Sequence, residues 1–144
     1  GWRAQAQRLR TLAGVIAPRH AVAWSFCSVR GALPDVVVEL SGASDLLLVS
    51  ADAALSPPAW RARAESVTWV RSDGTADDRA KQVATQLAQT LGAPLHVLPA
   101  DSMDENALDA LLHSARATQI WVLPRSRATA KRLTGLPCPV LLVG

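Results

Sequence analysis

Short apolar segments at 21–29, 45–50, 67–71, 94–98, 119–123 and 140–143 alternate with helix-patterned stretches, and few residues separate one from the next. A strand joined to the next strand through a helix returns to the same end of the sheet. The two strands then run parallel, and the helices cover the sheet faces. The expected fold class is α/β: a doubly wound three-layer sandwich with a mostly parallel sheet of about six strands.

Local signals place the elements. Residues 2–16 repeat with a helical period, setting Ala6, Leu9, Leu12, Ala13 and Ile16 on one side and arginines on the other. A second helix is expected at 33–43, with Pro34 in its first turn, where a missing amide donor costs nothing. The unbroken run "DLLLVS" at 45–50 has the pattern of a strand buried on both faces of a parallel sheet. A loop at 51–58 and a short helix at 60–65 lead to the strand at 67–71.

Thr75 is placed to cap the next helix, and Asp77 and Asp78 suit the positive end of its dipole. Ala80, Val83, Ala84, Leu87, Ala88 and Leu91 form its apolar stripe, and Gly92 ends it. Ser102 and Glu105 have capping-box spacing for a helix reaching 115, with Leu108, Leu111 and Leu112 as its buried face. A basic helix at 126–134 completes the set.

A chain of 144 residues, 49% of them hydrophobic, suits one packed domain over 1–144. No apolar run is long enough to span a bilayer, and no secretory leader is visible. Cys27 and Cys138 form no spaced framework, and with His20, His96 and His113 scattered they give no metal-ligand pattern. A reduced, cytoplasmic setting is expected. The net charge of +3 gathers in Arg3, Arg8 and Arg10 and again in Arg125, Arg127, Lys131 and Arg132. Such clusters suit anionic headgroups or a nucleotide, although a solvated helix face is the commoner reading. With one Phe and no Tyr, a nucleic-acid surface is not expected.

Ligands in open α/β sheets bind beyond the carboxyl ends of strands. Three corners qualify: Ser50-Ala51-Asp52, Ser72-Asp73-Gly74 and Arg125-Ser126-Arg127. At the second, Asp73 can hydrogen-bond a ribose or adenine while Gly74 lets the backbone approach. At the third, a phosphate can meet free amides and two guanidinium groups at a helix start. Asp73, Gly74, Arg125, Ser126 and Arg127 are the candidate nucleotide- or anion-binding residues. The structural alternative makes Asp73 and Ser126 helix-start residues and leaves the arginines solvated. No nucleophile elbow, glycine-rich phosphate loop or working carboxylate pair is present. No enzyme activity, catalytic residue or metal site is expected.

From 67 to 144 the sequence resembles the universal stress protein (Usp) superfamily. The resemblance rests on "VTWVRSDGT", on "AKQVATQLAQTLGAPLHVL" and above all on the closing "PCPVLLVG". Residues 67–144 are the best-matching unit, and 1–66 resemble part of a second. ATP-binding members carry a Gly-x-x-Gly motif after the fourth strand. The corresponding corner here, Leu123-Pro124-Arg125-Ser126-Arg127, has no glycine, which keeps the backbone from approaching a triphosphate. Of the family's nucleotide positions, Asp73 carries over.

Two kinds of relative matter for function. Potassium-responsive sensor kinases contain a Usp-like segment, and "ATQIWVLPRSR" is similar to it. Cation–chloride cotransporters and amino-acid permeases carry cytoplasmic domains built of degenerate Usp-like units, and "WRAQ" near the chain start is similar to a motif following their last membrane span. The leading expectation is a non-enzymatic regulatory and assembly domain, the cytosolic part of a transporter at the cytoplasmic face of the membrane. The opening Gly-Trp-Arg without a Met fits a domain cut from a longer chain. Such a domain has no cofactor, pairs with itself as a homodimer through an apolar surface around 140–143, and contacts the membrane-embedded part of its own chain. The alternatives are a stand-alone stress protein that binds ATP or another adenine nucleotide, and the sensor-kinase segment.

Overall fold

The computed structural model describes residues 45–49, 64–72 and 75–144, together with Arg3, Ala4, Gln7, Arg10, Thr11, Gly14, Val15 and Val36. The chain divides into two compact units, Gly1–Gly31 and Ala32–Gly144. In the first, the described residues are helical, as the period at 2–16 predicts, and Thr11 Oγ1 donates to the carbonyl of Gln7 at 2.9 Å. The strand expected at 21–29 lies outside the described residues.

The second unit is α/β. Its described elements are β1 (Leu46–Val49), β2 (Ser66–Arg71), α1 (Thr75–Leu91), β3 (Leu95–Pro99), α2 (Glu105–His113), β4 (Gln119–Pro124), α3 (Ala130–Leu133) and β5 (Val140–Val143). Single 3₁₀ turns at Ala100–Ser102 and Arg125–Arg127 follow β3 and β4. The strands form one five-stranded sheet in the order β1-β5-β4-β2-β3. It is mixed: β2, β3, β4 and β5 pair in parallel, whereas β1 runs antiparallel to β5.

Register assigns each strand residue to a face. Thr68 sits opposite Trp121, and Trp69 opposite Val122, so the two tryptophans point to opposite sides of the sheet. On one side Val67, Trp69, Val122 and Val143 pack with Ala80, Ala84 and Ala88 of α1. The alanines recur every fourth residue and have little side chain, which lets the helix lie close to the strands. On the other side Val70, Trp121, Leu123, Val140 and Leu142 pack with Leu108 and Leu112 of α2 and Leu133 of α3. Burial of each large aliphatic side chain contributes about 1.5–3 kcal/mol. Gly92 ends α1 at φ +62°, a left-handed conformation that closes the helix with Ala93 N donating to Ala88 O at 3.0 Å.

Several expectations fail here for physical reasons. The "DLLLVS" run is not buried on both faces: Leu46 is 48% and Leu48 62% exposed, because α1 packs mainly over the other four strands. The Val140–Val143 strand lies inside the sheet, with β4 and β1 on its two sides. Asp104, not Ser102, caps α2: its Oδ1 accepts from Ala107 N at 2.7 Å, while Ser102 Oγ donates to Pro99 O. Leu111 is exposed, and the third residue of the buried α2 face is Asp109.

The last helix is also shorter than its basic sequence suggests. Residues 125–127 form a separate 3₁₀ turn, and α3 starts only at Ala130, with Thr129 Oγ1 accepting from Arg132 N. Ser126 is therefore not a helix-start residue.

Candidate functional site

The strand order reverses between β2 and β4. From β2 the chain passes to β3 on one side, then crosses back to β4 on the other. A crevice opens at such a reversal, beyond the carboxyl ends of the two diverging strands, and it is the usual ligand position in open α/β sheets. Here Ser72 follows β2, and the Arg125–Arg127 turn follows β4.

Arg127 closes this crevice from within. Its Nε donates to Ser72 Oγ at 3.0 Å, joining the ends of the two strands, and its Nη1 donates to Glu105 Oε1 at 2.7 Å. Ser72 is fixed in turn, because its amide donates to Asp77 Oδ1 at 2.9 Å. Asp77 thus ties the first turn of α1 to the end of β2, beyond any effect on the helix dipole.

Behind Arg127 lies a second arginine. Arg132 is only 1% exposed and is the largest fully buried side chain among the described residues. All three guanidinium nitrogens donate: Nε to Asp109 Oδ1 at 2.7 Å, Nη1 to the carbonyl of Arg127 at 2.6 Å, and Nη2 to Glu105 Oε2. Burial works against its charge, but the hydrogen bonds to Glu105 and Asp109 outweigh burial and hold Arg132 above its ordinary pKa. Glu105, 60% exposed, is held below the usual carboxylate range, chiefly by its hydrogen bond from Arg132. Lys131 completes the group, with Nζ 3.3 Å from Asn106 Oδ1 and 4.0 Å from Asp109 Oδ2.

Of the residues the sequence singles out, Asp73 and Gly74 lie outside the described residues. Arg125 and Ser126 are exposed on the 3₁₀ turn, and Arg127 reaches the crevice. Arg127 and Arg132 are not solvated as the basic run suggests. Sequence reasoning assigns Glu105 to a capping box and Arg132 to a basic cluster, and joins neither to Asp109. The available signal was spacing: Glu105 and Asp109 are four residues apart, which sets both carboxylates on one face of α2 toward the basic segment.

Other polar groups stand apart from the crevice. His113 bridges the carbonyls of Asp109 and Thr134 at 2.8 and 2.9 Å. Cys138 is a buried free thiol, pushed up to about 12 by burial. The indole nitrogens of Trp69 and Trp121 are buried without a hydrogen-bond partner. Among the described residues no helix is long and apolar enough to cross a membrane. No protein family, curated protein or solved structure matches this chain.

Proposed function

We propose that the chain is a non-enzymatic regulatory and assembly domain with a Usp-like, doubly wound arrangement, the cytosolic part of a membrane transporter that pairs with itself. The observation that carries this reading is the commitment of Arg127 to Ser72 and Glu105. A guanidinium in the ligand position that is already bonded to a serine and a carboxylate gives no free charge to a triphosphate. The missing glycines support the same reading, since side chains at 125–127 keep the backbone from a close phosphate approach.

The test has two parts. Sedimentation of the domain is expected to give a dimer, and millimolar ATP is expected to leave its thermal unfolding unchanged. A ligand present at a hundred times its Kd adds about 2.7 kcal/mol, which such an experiment detects readily. A strictly monomeric domain at high concentration would count against assembly. The second reading, a stand-alone protein that binds ATP, is favoured by the reversal of strand order between β2 and β4. Stabilisation by ATP that disappears in Asp73→Ala would establish it.

A further inference from the structure

Two guanidinium groups converge on one carboxylate. Arg127 Nη1 donates to one oxygen of Glu105, and Arg132 Nη2 donates to the other. We infer that Arg127 and Arg132 form a two-arginine clamp for a small divalent oxyanion of the phosphate class, with Glu105 seated in it as an internal occupant. The inference deepens the reading of a crevice closed from within: it identifies what closes it and what can take that place.

The two carboxylates at Arg132 differ in how freely they can leave. Asp109 has a side chain only 12% exposed, and its Oδ1 lies against Arg132 Nε. Glu105 is 60% exposed, in the first turn of α2, with water available to solvate it once it swings out. When it leaves, Arg132 keeps Asp109 and the Arg127 carbonyl, so the buried charge is not abandoned. Arg127 keeps Ser72, which holds the guanidinium in place for the next anion.

Charge decides which anion fits. Without Glu105, the group holds the cations Arg127, Lys131 and Arg132 against the anion Asp109, a balance of +2. A phosphate dianion neutralises that balance, whereas a single carboxylate leaves +1. Phosphate also presents oxygens in several directions to two planar forks, the geometry that arginine recognises best. In the unmodified chain Glu105 competes at very high local concentration, so apparent affinity falls by the fraction of molecules in which the clamp is open.

The experiment compares phosphate binding by the full chain, Glu105→Gln and Glu105→Gln/Arg127→Ala. Inorganic phosphate is titrated at constant ionic strength and followed by calorimetry and thermal shift. Emptying the clamp is expected to tighten phosphate binding at least tenfold in Glu105→Gln, with the gain lost in the double variant. General salting effects of phosphate cancel between the two variants. Glu105→Ala gives an independent check, since saturable rescue of its lowered melting temperature by phosphate requires the same site. Glycerol phosphate distinguishes the source: equal binding assigns the site to the free anion, tighter binding to a phosphate monoester. Equal phosphate binding by all three chains, with no saturable rescue of Glu105→Ala, would overturn the clamp. ATP stabilising the unmodified chain would end the regulatory reading without touching the clamp.

Discussion

The Nε of Arg132 lies 2.7 Å from Oδ1 of Asp109, joining α3 to the buried face of α2. An ion pair shut away from water contributes little net stability over an apolar pair, but removing one partner leaves a charge with inadequate compensation. Arg132→Ala is therefore expected to cost about 3–5 kcal/mol of unfolding free energy. Asp109→Ala should fall at the lower end, because Arg132 still has Glu105. Urea unfolding gives both values, and a loss below about 1 kcal/mol for either would place the pair in water, contrary to its burial.

Acid should loosen the same region. Glu105 is held below its ordinary range in the folded chain, so its stabilising contribution is complete above the unfolded value, about 4.3. It is lost as pH falls through the folded value. Between about pH 5 and pH 3 the unmodified chain is expected to lose stability more steeply than Glu105→Gln. Identical slopes in urea titrations of the two chains across that range would contradict the bond to Arg132.

At alkaline pH the sign reverses. Cys138 ionises near 12 when folded and near about 8.5 when unfolded. Its contribution is present below the unfolded value and is lost as pH rises toward the folded one. Stability should decline above about pH 8.5, with a shallower slope in Cys138→Ser. Peptide mapping after thiol labelling at pH 8 should find Cys138 unmodified until denaturant is added; labelling of the native chain would show the thiol to be open.

The edge strand β1 and its inner neighbour β5 differ in what they bury. Leu142 on β5 is fully buried, and truncation to Ala should cost about 2–5 kcal/mol. Leu48 on β1 is mostly exposed, and Leu48→Ala should stay within about 0.5 kcal/mol. Comparable losses at both positions in denaturant unfolding would require a different register for β1.

Much of the unit from Ala32 to Gly144 is legible in its residues. The alanine stripe of α1, the termination at Gly92 and the strands at 66–71, 95–99, 119–124 and 140–143 follow from period and turn chemistry alone. The failures share a cause. Whether Leu46 and Leu48 face a helix or solvent depends on where α1 lies, and an unbroken apolar run carries no sign of its partner. In the same way, Arg132 looks like one more surface cation until Glu105 and Asp109, more than twenty residues earlier, arrive against it. The carboxylate that meets Arg127 is hidden from a reading of its corner, because it belongs to another helix.

Trp69 and Trp121 turn the two sides of this sheet into separate optical reporters. Each indole is buried in an apolar layer without an acceptor for its N–H, one beside α1 and the other beside α2 and α3. The chain has no tyrosine, so its ultraviolet emission belongs to tryptophan. Both indoles should emit toward the blue while dry and shift to the red on wetting. Compared in two chains that each keep one of them as the single tryptophan out of five, the shifts read out the order in which the two layers come apart.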